Sequence, residues 1–238
     1  MEKTIKLLPF GIILGVSLII TGAIISQTFL NVKKLDNVIT VSGSAKQAVT
    51  ADSARWTGSF SRTTLENELK NGYAAMKNDE QAVTSFLNSQ GFTDVEISPV
   101  FMNEVYKNDP NAPKEYNLIQ NVQVKSDEVN KMKELAKNSG KLADKGIIFS
   151  ANSVEYYYSK LPEMRVSLLP EAIKDAKNRA ASIAQSSDKE VDAIKSVSMG
   201  VVQVMSLGSI DVSDYGSYDT SSIEKEVMIT VKTVFGLK

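Results

Sequence analysis

Residues Val38–Phe60 read VITVSGSAKQAVTADSARWTGSF and contain two strand-like runs on either side of a small, polar connection. In the second run, apolar and polar side chains alternate. The apolar members are Ala54, Trp56 and Phe60, and the polar members are Arg55, Thr57 and Ser59. An alternation with a period of two is typical of a strand with one buried face. The stretch therefore predicts the first two strands of a sheet.

A long helix is predicted directly after these strands. Its apolar stripe at helical spacing consists of Leu65, Leu69, Met76, Val83 and Leu87. Thr63 and Glu66 have the spacing of a capping box, which predicts that the helix starts there. Gly91 predicts the end of the helix, because glycine readily adopts the left-handed conformation that closes many helices.

A second long helix is predicted over residues 168–187, which read LLPEAIKDAKNRAASIAQSS. Pro170 is expected in its first turn, where the missing N–H of proline removes no helical hydrogen bond. The side chains expected to face inward are Leu169, Ile173, Ala176, Ala180 and Ile183.

Shorter strand and helix patterns complete the domain, and the predicted order of elements is β-β-α-β-β-α-β-α-β-β. This order predicts an α+β domain in which two long helices and one short helix pack on a mainly antiparallel sheet. The helices must cover the sheet because each of them has an apolar stripe to bury.

The segment Leu7–Val32 contains no charged residue. About 24 helical residues span roughly 36 Å, which exceeds a bilayer core of about 30 Å. A secretory signal peptide is the alternative, with a candidate cleavage site at Thr21–Ala23, but its apolar region is usually shorter. Here the apolar run continues past that site, which favours an uncleaved transmembrane signal anchor.

The chain is accordingly divided into a cytoplasmic tail (1–6), a transmembrane anchor (7–32), a linker (33–37) and a folded domain (38–238). Lysines lie on both sides of the apolar run, so charge does not decide its orientation. A short tail before a long folded domain favours a cytoplasmic tail and a periplasmic or extracellular domain.

Small residues recur inside the apolar segment at Gly11, Gly15, Gly22 and Ser26. Their spacings of four, seven and four place them along one helix face, which predicts self-association of the transmembrane helix. The alternative is that glycine is simply common in membrane helices.

Composition restricts the chemistry available to the chain, which has no cysteine and no histidine. Thiolate nucleophiles, zinc–thiolate sites and Ser-His-Asp triads are therefore excluded. Lysine far outnumbers arginine and the net charge is −1, which does not favour a nucleic-acid partner. We expect no enzymatic activity, no catalytic residue, no metal and no cofactor.

Three polar patterns could still carry chemistry, and each has a simpler interpretation. Ser186 and Lys189 have Ser-x-x-Lys spacing, but they follow the end of a predicted helix instead of opening one. The segment with Asp211, Asp214 and Asp219 lacks the ligand order of an EF-hand, so a solvated loop is expected. Asp52 stands alone at the start of a strand and is expected to fix a turn.

Three consecutive tyrosines, Tyr156, Tyr157 and Tyr158, lie in a predicted strand. Alternation puts Tyr157 on the opposite face from the other two. An aromatic ring with a polar tip suits a half-hydrated surface, so these residues are predicted to contact a subunit interface or a ligand.

The sequence resembles the SIMPL-domain family of bacterial envelope and secreted proteins from about Val38 to Phe235. The family opens with an extended V-x-G strand and a link into an aspartate that starts the second strand. Val41, Gly43, Asp52 and Trp56 fit this pattern. The segments FLNSQGFTDVEIS, VQVKSDEVNKMKEL and LPEAIKDAKNRAASIA, the last with Ala172, Ala176, Ala180 and Ala184, also fit the family.

The resemblance implies an exported or membrane-anchored α+β protein that tends to form oligomers and is linked to stress defence at the cell envelope. It supplies no catalytic residues. We therefore expect a homo-oligomeric scaffold or interaction module that is attached to the membrane through its N-terminal helix. The alternatives are a protein that binds a small ligand, peptide or envelope polymer, and a hydrolase that uses carboxylates or a Ser/Lys pair.

Overall fold

A computed structural model describes residues 2–35, 37–109, 111–211 and 213–238, with side chains left undescribed at residues 2–8, 34 and 35. The predicted cytoplasmic tail (1–6) and the linker (33–37) therefore lie partly outside the described residues.

The chain is an α+β protein, which confirms the predicted fold class. The helices are α1 (Glu2–Leu35), α2 (Leu69–Ser89), α3 (Val129–Asn138) and α4 (Leu161–Gln185). The strands are β1 (Val38–Thr50), β2 (Ser53–Leu65), β3 (Val95–Ile97), β4 (Phe101–Val105), β5 (Glu115–Ser126), β6 (Ile148–Ala151), β7 (Glu155–Tyr157), β8 (Val191–Ser206), β9 (Ser217–Tyr218) and β10 (Glu224–Leu237). Short 3-10 helices occur at Glu66–Glu68 and Ser139–Lys145.

The strands form two sheets, whereas the sequence had predicted one. The four-stranded sheet has the order β1-β10-β8-β9. The six-stranded sheet has the order β3-β5-β2-β6, with β4 also pairing with β5 and β7 with β2. By their contacts the residues group into a first unit (Met1–Ala45, Ser167–Val201, Ile229–Lys238) and a second unit (Lys46–Val166, Val202–Met228).

In the second unit, β2 is the central strand of the six-stranded sheet. It pairs antiparallel with β5 from Ala54↔Ser126 to Leu65↔Glu115, and with β6 and β7 on its other side. Helices α2 and α3 both contact β2. Trp56 and Phe60 are buried, and the Trp56 ring stacks on Phe149 with 5.7 Å between ring centroids. The predicted alternation in β2 is therefore confirmed.

Strand β2 continues to Leu65, so the capping box predicted at Thr63 and Glu66 is wrong. Thr63 pairs with Asn117 of β5, and the ladder keeps the chain extended where a helix was expected. A 3-10 turn follows, and α2 begins at Leu69 without a side-chain cap.

The predicted end of the long helix is confirmed at Gly91. This glycine has a φ of 84°, in the left-handed region. The Phe92 amide donates to the carbonyl oxygen of Leu87 at 3.0 Å, which is the closing bond of a left-handed helix end.

In the first unit, α4 approaches β1 very closely. The buried side chains of α4 in this unit are Leu168, Ala172, Ala176, Ala180 and Ala184. An ideal Cβ placed on Gly43 of β1 would lie 2.2 Å from the Ala172 carbonyl oxygen and 2.4 Å from the Ala176 nitrogen. Small side chains on both elements permit this approach.

The inward face predicted for this helix is therefore partly wrong. Ala176 and Ala180 are buried as predicted, but Ile183 is 50% exposed. Leu169 and Ile173 are only half-buried. Because α4 approaches β1 so closely, its buried face consists mainly of alanines and not of the larger apolar residues that were predicted.

Helix α4 is also longer than predicted, because it begins at Leu161. Pro170 consequently lies inside the helix and not in its first turn. Since proline has no N–H, the helix lacks the hydrogen bond from this position to the carbonyl of Val166.

Helix α1 contains one segment, Pro9–Lys33, that is long and apolar enough to cross a membrane, and none of it is buried in the protein. This finding agrees with an N-terminal membrane anchor and equally with a signal sequence.

We predict that Gly43→Ala destabilises the protein by about 3 kcal/mol, because the added methyl group overlaps backbone atoms that cannot move independently. Gly140→Ala is the matched control, since nothing lies within 4 Å of a Cβ at that position. Urea unfolding of both variants measures the difference. Equal stability of the two variants would contradict the close packing of α4 on β1.

Candidate functional site

The structure places the three predicted tyrosines in different environments. Tyr156 is buried in the core of the second unit, 7% exposed. Tyr157 and Tyr158 are half-buried. None of these three tyrosines lines the cavities of about 550, 470, 450 and 370 Å³ found among the described residues.

Tyr157 belongs to a polar cluster on β7 and β2. Its hydroxyl donates to Glu155 Oε2 at 2.9 Å, and Arg55 Nε donates to the same oxygen at 2.6 Å. The Arg55 guanidinium also lies 5.6 Å from the Tyr157 ring centroid. The hydrogen bond from Arg55 lowers the pKa of Glu155, and burial followed by the bond to Glu155 raises the pKa of Tyr157. Both groups therefore keep their ordinary neutral-pH charge states.

Tyrosine contacts also hold the polar segment between β8 and β10. Tyr218 of β9 lies 5.9 Å from Tyr157 between ring centroids, and its hydroxyl accepts a hydrogen bond from the Tyr158 amide at 2.8 Å. The Tyr156 amide donates to the carbonyl oxygen of Thr220 at 2.8 Å. In the described residues, the tyrosine strand thus attaches to this segment of its own chain.

Lys225 is a buried cation that the sequence analysis missed. Its side chain is 0% exposed, and its amino group donates to the main-chain carbonyl of Asp219. The Asp219 carboxylate lies 3.7 Å away, and the Tyr218 ring centroid 5.8 Å away. Burial lowers the pKa of Lys225, and Asp219 opposes this effect. The signal was present in the sequence, because alternation in β10 places Lys225 on the same face as Val227 and Ile229.

Asp219 is held as a carboxylate by a dense set of donors. The amide and hydroxyl groups of Ser221 and the hydroxyl group of Ser222 donate to its oxygens. Partial burial acts to raise the pKa of Asp219, but these hydrogen bonds and the charge of Lys225 outweigh it. The pKa of Asp219 therefore lies well below its usual range.

A cavity of about 370 Å³ lies beside this cluster. Its lining includes Asp211, Ser213, Tyr218 and Asp219. Among the described residues there is no group of three or more carboxylates or other metal-binding side chains close enough to hold a metal ion. Asp219 is instead engaged by serine hydroxyl groups and Lys225.

The Ser-x-x-Lys residues do not form a pair. The Ser186 hydroxyl donates to the Ile183 carbonyl at 2.7 Å, and the Lys189 amine donates to Asn37 Oδ1 at 3.1 Å. Asp52 accepts hydrogen bonds from the amide and hydroxyl groups of Ser159, at 2.7 and 2.8 Å. It therefore stabilises the connection before α4, in keeping with the expected structural role.

The small residues of α1 lie on an open helix. Nothing lies within 4 Å of an ideal Cβ on Gly11, Gly15 or Gly22. Ser26 is exposed as well. Self-association through this face stays a prediction.

A second surface missed by the sequence analysis is the first part of β8, in the first unit. The apolar side chains Ile194, Val197, Met199 and Val201 are between 37% and 48% exposed. In the sheet order β8 lies between β10 and β9, and β9 pairs only with Gln203 and Val204. Within the described residues, positions 191–202 of β8 therefore have no strand partner on the side away from β10. We call these residues the β8 edge.

These features define an α+β domain with an open strand edge that follows a helix able to span a membrane. Residues 39–235 match the SIMPL family, described as a protein of unknown function (DUF541), and the chain belongs to that family. No curated protein matches the chain. The family match confirms the resemblance inferred from the sequence.

We predict that Asp219→Asn lowers the free energy of unfolding by about 3–5 kcal/mol, because it leaves the buried Lys225 amine without an anionic partner. Adding Lys225→Met should restore most of the loss, since the double variant has no buried charge. Urea unfolding of the single and double variants tests the coupling. Additive effects of the two substitutions would contradict it.

The buried lysine also predicts a pH dependence. Because burial lowers the pKa of Lys225 in the folded chain, the unfolded chain binds the proton more tightly. The resulting destabilisation is complete below the folded pKa and disappears as the pH rises toward the unfolded value of 10.5. The stability of the wild type relative to Lys225→Met should therefore increase as the pH rises toward 10.5. Lys133→Met, at an exposed lysine of α3, is the control in the same unfolding series.

Proposed function

We propose that the protein is a single-pass membrane protein whose SIMPL domain lies outside the cytoplasm and acts as a homo-oligomeric scaffold or interaction module at the cell envelope. A role in envelope stress defence, which the family resemblance implies, is part of this proposal. The proposed role is non-catalytic, and it is supported by the separate hydrogen-bond partners of Ser186 and Lys189, the pair with acyl-enzyme spacing.

The observation that carries the proposal is the β8 edge. An unpaired strand offers a row of backbone N–H and C=O groups to another strand, and natural proteins usually block such edges with lysine, proline or a short length. Between Ser196 and Val201 the β8 edge carries no charge and no proline. Val197, Met199 and Val201 add exposed apolar surface to it. These properties suit a strand that is covered in an assembly.

A second copy of the chain is the simplest partner for this edge. Two β8 strands placed antiparallel about Val197 would pair residues 192 and 202 at either end, so the edge from residue 192 to residue 202 would be covered. Val197 would then oppose Val197, Val201 would oppose Ala193 and Ile194 would oppose Gly200, whereas Met199 would lie opposite the aliphatic stem of Lys195.

The N-terminal helix supports the membrane part of the proposal. The 25 residues Pro9–Lys33 are long and apolar enough for one crossing. Anchoring would confine copies to a plane and raise their effective concentration, which favours even a weak contact between domains.

A ligand-binding protein is the second candidate. The cavity of about 370 Å³ beside Tyr218 is within the size range of small-molecule sites, about 300–1,000 Å³. It is lined by the end of β8 and by the polar segment that follows β8.

We predict that the full-length protein in detergent has the mass of a discrete oligomer and that Val197→Lys reduces this mass. Paired lysines would repel each other across a contact between β8 edges. Ala181→Lys, at an exposed position of α4, is the matched control and should leave the mass unchanged. Light scattering coupled to size exclusion measures all three proteins.

Two results would contradict the proposed contact. A monomeric wild type would refute the oligomeric scaffold. An oligomer that survives Val197→Lys but is lost in Gly15→Leu would place the assembly contact in α1 and not at the β8 edge.

A further inference from the structure

The six-stranded sheet has one covered and one open face. Helices α2 and α3 cover the face that carries Trp56 and Phe60. Residues at odd-numbered positions of β2 and β5 point the other way. We call this side the outer sheet face. It is half-buried or exposed along its length, since Ser59 is half-buried and Asn121 is exposed.

Uncharged hydrogen-bonding side chains dominate the centre of the outer sheet face. Strand register joins them in rows across the sheet. The rows are Asn121–Ser59–Ser150, Gln123–Thr57 and Asn103–Asn117–Thr63. Amide and hydroxyl groups both donate and accept hydrogen bonds, so these rows offer many neutral partners to a ligand.

The charges at the rim of this face neutralise one another. Lys125 lies 3.4 Å from Glu96, Arg55 lies 2.5 Å from Glu155, and Lys107 lies 3.1 Å from Glu115. Each cation is thus matched by an adjacent carboxylate. A strongly charged partner would find no surface of opposite charge on this face. The face therefore favours a neutral partner.

A cavity of about 550 Å³ lies on this face. Its lining includes Thr57, Ser59, Asn121 and Asn152, and also Glu96, whose carboxylate is engaged by Lys125 and Gln123. Thr57 and Asn152 are already hydrogen-bonded to each other at 2.9 Å. In the part of the chain that the structure describes, the side chains of Ser59 and Asn121 make no hydrogen bond, so they are available to a ligand.

An apolar row lies beside the polar ones. Register joins Phe101, Ile119, Ser61 and Ile148 across four strands. Phe101 is 52% exposed and Ile148 is 66% exposed. Neighbouring rows on one face are two residues apart, about 6.6 Å, and four strands span about 14 Å. The outer sheet face therefore presents apolar and neutral polar strips at the spacing of single sugar rings.

We propose that the outer sheet face binds a neutral glycan chain. A pyranose ring has an apolar face of C–H groups and a rim of hydroxyl groups. Phe101 and Ile148 would contact the C–H faces, while Ser59 and Asn121 would exchange hydrogen bonds with the hydroxyl groups. The site is separate from the β8 edge and does not depend on the oligomeric role.

A peptide fits this face less well. Peptides usually add a strand to an open sheet edge, because affinity then comes from main-chain hydrogen bonds. In the centre of this sheet β2 and β5 pair with each other and with further strands on their outer sides, so most of their main-chain groups are already used. A ligand on this face must therefore be bound by side chains. Side-chain amide and hydroxyl groups are suited to bind the hydroxyl groups of a carbohydrate.

The test uses the full-length protein in phospholipid nanodiscs, free of sugar-based detergent. Cellohexaose and the hexamer of N-acetylglucosamine are the neutral probes, and polygalacturonate is the acidic comparison. Titration calorimetry, with empty nanodiscs as the blank, should show binding of at least one neutral probe and weaker binding of the acidic polymer.

Asn121→Glu should weaken this binding at least tenfold, because it places an unpaired charge in the centre of the neutral face. Asn88→Glu is the matched control: the same substitution at an exposed position of α2, on the covered side of the sheet. Phe101→Ala should also weaken binding by removing the apolar contact. Thermal unfolding of each variant confirms that the fold is kept.

Three outcomes would overturn the proposal. They are no binding of either neutral probe at millimolar concentration, stronger binding of polygalacturonate than of the neutral probes, or equal affinity of Asn121→Glu and Asn88→Glu. A change in oligomeric mass caused by Asn121→Glu would assign the face to a second copy of the chain instead.

Discussion

The strict alternation of side chains in β2 is the constraint on which the second unit depends. One face of this strand supplies Trp56 and Phe60 to the core under α2 and α3. The opposite face places Thr57 and Ser59 on the outer sheet face. A shift of one residue in the pairing with β5 would exchange the two sets, which would bury the polar residues and expose the aromatic ones. Core and candidate surface are therefore fixed by the same register.

Local patterns predicted the parts of the fold in which one physical effect dominates. The alternation of β2 and the glycine at the end of α2 are of this kind. The inward face of α4 was mistaken because hydrophobicity favours Ile173 and Ile183, whereas the close approach to Gly43 requires alanine. The start of α2 was mistaken because pairing with β5 overrides a local cap. Both errors arise from contacts between segments distant in sequence.

The candidate surfaces were harder to predict than the fold. The tyrosines were recognised, but only the structure shows that Tyr157 and Tyr158 contact Tyr218 of the same chain. The rows of the outer sheet face depend on the register of four strands, which no single segment specifies. The β8 edge depends on how far β9 extends along β8, which the sequence of β8 alone does not specify. Of these features, only Lys225 had a local sequence signal, since alternation in β10 places it on the apolar face of the strand. A single charge on such a face is easily dismissed as an exception to the alternation.

Trp56 has a consequence for how the protein is observed in solution. It is the sole tryptophan of the chain, and it is fully buried against Phe149 in the second unit. Its fluorescence therefore reports on one hydrophobic core and carries no signal from the alanine-lined packing of α4 on β1. A spectroscopic description of the whole chain needs a second probe in the first unit, and the lack of native cysteine leaves a single introduced thiol free for specific labelling.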